Sequence, residues 1–220
     1  GAYVSYANQP RAWVRYQIES TIEGIELAGR TVGSDYLAGE RVPLLIAGVW
    51  QSEPASALEI YHDVYSGIVS GAQAIGLYSH SRAIKEESSD GLDGFIQAAA
   101  EIGIGDERLG PTILYGNVYN GASFDIIEGP EETVDFTPYG FDAAMTYPCL
   151  NMRAWDYEGQ RILIAVNSCE DALVVNISGL GEGPEVDLPF EGRRLCVEDN
   201  SIEDNFEPLA VHIYRLENAS

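Results

Sequence analysis

Ser79 and His80 are adjacent, and a serine within reach of an imidazole is the starting point of nucleophilic hydrolysis. No G-x-S-x-G elbow frames Ser79, so the pair reads as polar side chains closing a strand and not as a triad. The other two histidines, His62 and His212, have no second histidine at ligand spacing, which points to structural roles and away from metal. Cys149, Cys169 and Cys196 form no C-x-x-C pair and leave one thiol over if two are bridged; buried free thiols are the expectation. Glycine-rich stretches such as Gly179-Leu180-Gly181-Glu182-Gly183 join β-type runs and do not open helices, so they are no phosphate cradle. Tyr115, Tyr119 and Phe124, interleaved with Asn117 and Asn120, form an aromatic and amide-rich segment. Sugar-binding surfaces use that mixture, and so do ordinary tight loops.

Charge narrows the partners. Acidic residues number 35 against 12 basic ones over 220 residues, a formal net charge of -23. Such a surface repels phosphate backbones and anionic lipid headgroups, so neither nucleic acid nor a membrane is expected as a partner. No apolar run approaches the roughly 18 to 20 residues of a membrane span. Lys85 is the single lysine, and the other basic residues are arginines. An acid-rich, lysine-poor composition suits solubility at high salt and equally a GC-rich genome; both readings stay open. Hydrophobic residues at 45% are enough to build a core, which argues against wholesale disorder.

Two periodicities divide the chain. Up to about residue 105, β-type and helical stretches alternate. Tyr3-Val4-Ser5-Tyr6 is a short β run closed by Asn8-Gln9-Pro10, and Val14, Ile18, Ile22 and Ile25 then form a helical stripe ending near Gly29. The run from Val42 to Trp50 is apolar on both faces, as in a buried parallel strand. Ser56-Ala57-Leu58-Glu59 has capping-box spacing and opens a helix whose expected buried face is Leu58, Tyr61, Tyr65, Ile68 and Ala72. Ala74-Ile75-Gly76-Leu77-Tyr78 is the next buried strand. A third helix starts near Asp90, carries Leu92, Phe95, Ile96 and Ala99, and stops at Gly103.

From about Pro111 the helical period gives way to short β runs. These are Thr112 to Tyr115, Thr133 to Phe136, Met152 to Tyr157, Arg161 to Asn167, Ala172 to Ile177, Val186 to Leu188, Leu195 to Val197 and Ala210 to Leu216. A Glu158-Gly159 turn makes the third and fourth a hairpin. The expected fold class is α/β plus all-β, with residues 1–108 forming the α/β part and residues 109–220 a small antiparallel β-sandwich.

Three βα units are too few to close a barrel or a doubly wound sheet. The buried strand ending in Val49-Trp50, the phrase Ser70-Gly71-Ala72-Gln73 running into Ala74-Ile75-Gly76-Leu77-Tyr78-Ser79-His80, and the later Leu163-Ile164-Ala165-Val166-Asn167-Ser168 and Val211-His212-Ile213-Tyr214-Arg215-Leu216 occur in that order. Together they resemble the C-terminal part of TIM-barrel glycoside hydrolases and their uncharacterised relatives, in which the last barrel strands precede a small β-sandwich. The resemblance implies that the three strands are barrel strands six, seven and eight of a (β/α)8 barrel. The site would then lie at their carboxyl ends, at Asn8 and Gln9, at Trp50, Gln51 and Glu53, and at Ser79, His80 and Arg82.

In the large clan A of these enzymes a glutamate ending strand seven is the nucleophile, and its acid/base partner ends strand four. Glu53 is the only carboxylate near the matching end. It stands past Trp50 and ahead of Pro54, where an acid in a first helical turn would also be favoured by the macrodipole. The implied substrate is a carbohydrate, with no cofactor and no metal. The implied partner is the missing N-terminal barrel half, in the same polypeptide or another, or a second copy of the chain. A non-catalytic carbohydrate-binding or assembly protein on the same scaffold is the competing expectation.

Overall fold

A computed structural model describes residues 10–32, 44–48, 55–78, 90–103, 108–137, 142–181 and 183–217. The chain divides into two compact units, Gly1–Phe95 with Val134–Thr146, and Ile96–Thr133 with Tyr147–Ser220.

In the first unit, α1 (Trp13–Val32), β1 (Leu44–Gly48), α2 (Ala57–Val69) and β2 (Ala74–Tyr78) follow one another, and α3 (Asp90–Ile102) begins. The expected strand at Tyr3 to Tyr6 lies outside the described residues. Val14 and Ile18 of α1 are buried, while Ile22 and Ile25 are half-buried, so the stripe fades along the helix. β1 and β2 pair in parallel, in register from Leu44↔Ala74 to Gly48↔Tyr78, with α2 as the crossover between them.

The capping box at the start of α2 is present. Ser56 Oγ accepts from the Glu59 N–H at 3.2 Å, and the Glu59 carboxylate accepts from the Ser56 N–H at 2.8 Å. Leu58, expected to be buried, is 50% exposed. Every residue of α2 from His62 to Val69 is buried, so the helix has no single stripe from which its face can be read. The expected face of α3 is also corrected. Ile96 is 54% exposed and Ala99 is exposed, while Gly91, Gly94 and Ala98 are buried. A Cβ on Gly94 would stand 2.1 Å from the Ala57 carbonyl oxygen, so the small-residue face is what lets the α3 backbone approach the start of α2.

The second unit carries α4 (Gly110–Tyr115), β3 (Asn117–Tyr119), β4 (Ser123–Glu128), β5 (Leu150–Tyr157), β6 (Gln160–Asn167), β7 (Leu173–Ser178), β8 (Glu185–Leu188), β9 (Arg193–Cys196), β10 (Ser201–Phe206) and β11 (Val211–Glu217). The strands form two antiparallel sheets, ordered β10-β7-β4 and β3-β5-β6-β11-β8-β9. Alternate residues of both sheets, among them Leu163, Ala165, Val175, Ile177, Ile202, Phe206 and Tyr214, share one apolar core. The β5–β6 hairpin turns at Glu158 and Gly159, whose φ values of 48° and 80° are those of a two-residue type I′ turn.

Two expected β runs are not strands. Thr112 to Tyr115 lies in the helix α4, where Pro111 in the first turn presets helical φ and outweighs the β-branched pair behind it. Thr133 to Phe136 forms only isolated bridges; Phe136 exchanges backbone hydrogen bonds with Met145 at 3.0 and 2.9 Å.

The thiols differ from expectation as well. Cys149 and Cys169 form a disulfide with a Cα–Cα distance of 5.2 Å, and Cys196 is free and exposed. The Leu150↔Asn167 register brings the outer ends of β5 and β6 together, a long-range pairing that cysteine spacing does not reveal.

β10 points Ile202, Asp204 and Phe206 inward. Asp204 is 3% exposed and completely engaged: both Arg193 terminal nitrogens donate to it at 2.8 Å, and Tyr214 Oη donates at 2.8 Å. Arg193 Nε donates to Glu191 at 2.7 Å. His212 Nδ1 lies 2.6 Å from that carboxylate, and Nε2 lies 3.1 Å from the Asn205 carbonyl oxygen. Burial pushes the Asp204 and Glu191 carboxyls up, but hydrogen bonds from Arg193 and Tyr214 to Asp204, and from His212 and Arg193 to Glu191, leave both below the usual carboxylate range.

Replacing both Cys149 and Cys169 by alanine should lower the unfolding free energy of the second unit by about 3 kcal/mol, from the loop of about 20 residues that is released. Denaturant unfolding checks this, and an unchanged midpoint contradicts it. The depressed carboxyls contribute stability that is complete above the ordinary pKa near 4 and is lost as pH falls through their lower folded values. Thermal unfolding followed from pH 6 downward should therefore show an acid limb that Asp204→Asn flattens; an identical limb in the variant rules out this source.

Candidate functional site

Asn8, Gln9, Trp50, Gln51, Glu53, Ser79, His80 and Arg82 all lie outside the described residues. The elements that bound their segments are described, and these set what the site can be. β1 ends at Gly48 and β2 at Tyr78, paired with each other across a parallel ladder. Gly48 and Tyr78, the last residues of the two strands, thus lie at the same, carboxyl edge of the parallel pair, which is where α/β folds gather ligand-binding residues.

The downstream ends of two of these segments are tied together. Pro10 and Arg11 follow Gln9 directly, and Ser56 begins the capped helix two residues after Pro54. Arg11 reaches across to α2, donating from Nη1 to Asp63 Oδ2 at 2.8 Å and from Nη2 to Glu59 Oε1. His62 is buried, and its Nδ1 lies 3.1 Å from the other Asp63 oxygen. One guanidinium thus joins the start of α1 to the first two turns of α2. Burial pushes the Glu59 carboxyl up, but the Ser56 N–H and the Arg11 charge outweigh burial and hold it below the usual range. Trp13 stacks on Tyr16 with ring centroids 5.0 Å apart and meets Phe136 edge-on at 6.4 Å, further fixing the first turn of α1.

Chemically, these groups position and do not react: each acid already holds a cation or caps a helix. Among the described residues no cluster of three or more histidine, cysteine, aspartate or glutamate side chains is arranged to hold a metal ion. No helix among them is long and apolar enough to cross a membrane.

In the second unit the aromatic and amide-rich segment is split by the fold. The Tyr119 ring lies 3.2 Å under the Arg161 guanidinium, and its hydroxyl donates to the Gly179 carbonyl at 2.9 Å. Arg161 in turn donates to Asp156 at 2.7 and 3.0 Å and to the Leu180 carbonyl at 2.8 Å, so Tyr119 serves the interior. Phe124 packs on the apolar core. Tyr115 stays 72% exposed at the end of α4, with its ring centroid 6.5 Å from that of Tyr157 and the planes 37° apart. Sequence reasoning missed Tyr157. It meets Tyr115 only because Asn117 of β3 pairs with Asp156 of β5.

Neither a protein-family profile nor a curated protein sequence matches this chain. Solved structures do. An alpha-amylase from Geobacillus thermoleovorans complexed with acarbose is 8% identical, covering 94% of this chain and 47% of that one, with a TM-score of 0.53. AmyP in complex with maltose is 10% identical over 94% of this chain and 50% of that one, with a TM-score of 0.50. An Anoxybacillus alpha-amylase is 12% identical over 74% and 33%, with a TM-score of 0.48. This chain therefore spans a third to a half of the length of these three structures. The likeness is one of fold: helices followed by antiparallel sheets, as in the C-terminal region of amylase-like glycoside hydrolases.

Removing the Arg11 charge should leave Asp63 buried without its cation. Arg11→Met is expected to destabilise the chain by about 3 kcal/mol, with part of that recovered by adding Asp63→Asn. Chemical denaturation of the single and double variants checks this. A neutral Arg11→Met would show that the ion pair does not hold α1 to α2.

Proposed function

We propose that this chain is the C-terminal portion of a glycoside-hydrolase-like protein. Residues 1–108 would supply the last three βα units of a (β/α)8 barrel, and residues 109–220 a β-sandwich domain. The supporting observation is the parallel β1–β2 pair with α2 between them, followed by two antiparallel sheets around one core. An alpha-amylase chain is similar in fold over 94% of this one, with a TM-score of 0.53, which supports the reading.

In this reading the substrate is a carbohydrate, held where residues 49–54 and 79–89 leave the carboxyl edge of β1 and β2. Glu53 is the reacting carboxylate of the chain. Trp50 offers an apolar ring face to a sugar, and Asn8, Gln51, Ser79, His80 and Arg82 meet hydroxyl groups. Hydrolysis of a glycosidic bond needs a second carboxylate facing the first, one ionised and one held protonated. That second acid, ending strand four, belongs to the remaining barrel, which also covers the open edges of the parallel pair.

Exposed Tyr115, paired with half-buried Tyr157, favours a second reading, a carbohydrate-binding or assembly protein that keeps the scaffold without the chemistry. Release of nitrophenol from a panel of nitrophenyl glycosides by the full reading frame separates the two. The enzymatic reading expects Glu53→Gln to reduce release by about a thousandfold or more at unchanged folding. Binding of sugars without turnover, or turnover indifferent to Glu53→Gln, overturns it.

A further inference from the structure

We propose that Tyr115 and Tyr157 form a second glycan-binding surface, on the β unit, that takes neutral oligosaccharide chains. It shares the carbohydrate class with the reading above but does not depend on Glu53.

Three observations converge on it. First, Tyr115 is 72% exposed at the end of a six-residue helix, beside exposed Leu114 and Val118. The other tyrosine of the same segment, Tyr119, is committed to Arg161 and Gly179, so the exposure of Tyr115 is not a general property of this loop. Second, Tyr115 is paired. Its ring and that of Tyr157 stand 6.5 Å apart at 37°, a shallow angled platform against which the C–H-rich face of a pyranose can lie.

Third, the rim is polar in the way a sugar requires. Glu158, next to Tyr157 in the chain, is exposed, and so is Gln160, the residue directly opposite Tyr157 on β6. Glu158 takes a left-handed backbone conformation, at φ 48°, in the hairpin turn. A carboxylate and an amide beside two aromatic rings accept and donate hydrogen bonds to ring hydroxyls.

The same charges select the ligand. Glu158 at the platform and a chain net charge of -23 repel uronic acids, sulfated sugars and phosphate groups, leaving neutral chains. A protein partner is less well matched. Exposed Glu158 and Gln160 stand beside the rings, whereas the centre of a protein interface is depleted of charge.

Isothermal titration calorimetry of the 220-residue chain with maltoheptaose, cellohexaose and xylohexaose tests this, with polygalacturonate as the anionic control. At least one neutral oligosaccharide should bind and polygalacturonate should not. Tyr115→Ala with Tyr157→Ala should weaken binding by about tenfold or more. Tyr115→Phe with Tyr157→Phe, which keeps both rings, should retain most of it and guards against loss of fold. The proposal is overturned if no neutral oligosaccharide binds or if the alanine pair binds as tightly as the parent. It is equally overturned if sedimentation shows the parent to be a dimer that the alanine pair dissociates, because the patch would then be an interface between copies.

Discussion

A parallel pair of strands cannot stand by itself. β1 and β2 run side by side in one direction, and among the described residues they pair only with each other. Each therefore offers an edge of unsatisfied N–H and C=O groups to whatever lies next to it. Parallel sheets are found covered on both faces and continued at both edges. This constraint is why we propose that the first unit is an arc of something larger, and the parallel register sets Gly48 and Tyr78, the last residues of the two strands, side by side.

Within each unit, arginine ties separate elements together. Arg11 joins two carboxylates on α2, Arg161 joins Asp156, a backbone carbonyl and the face of Tyr119, and Arg193 joins Asp204 and Glu191. Each uses a planar fork that satisfies several acceptors at once, which a lysine ammonium on a flexible stem does not reproduce. In a chain with 35 acids and 12 bases, this places the scarce positive charges where carboxylates are least solvated. Among the described residues, buried Asp63 and Asp204 are each held by a guanidinium, Arg11 and Arg193 respectively.

Much of the architecture is legible in the residues because local and long-range signals agree there. The apolar runs of β1 and β2, the Ser56–Glu59 box and the Glu158-Gly159 turn each carry their own backbone preference, and each forms as expected. β10 was illegible for the opposite reason. Ser201-Ile202-Glu203-Asp204-Asn205-Phe206 looks like a polar loop until Arg193 and Tyr214, distant in the chain, make an inward aspartate tolerable. The β runs expected at Thr112 and Thr133 failed through a helix-starting proline in one case and isolated bridging in the other. The disulfide depends on the β5–β6 register, and no spacing rule contains that. The proposed barrel site rests on resemblance alone, since the residues after the strand ends carry no motif of their own. Tyr115 was visible as an aromatic, but its partner Tyr157 becomes a neighbour only after β3 finds β5.

The central claim is that this chain closes a barrel whose remaining strands set a second carboxylate opposite Glu53. An experimental structure of the full reading frame measures that directly, as the separation between the Glu53 carboxyl and the nearest facing acid. The account predicts β1 and β2 flanked by further parallel strands, with that separation about 5 to 5.5 Å for a retaining enzyme or about 6.5 to 9.5 Å for an inverting one. Strands β1 and β2 sealed within an open sheet of different order, or Glu53 facing solvent with no opposing acid, would contradict it.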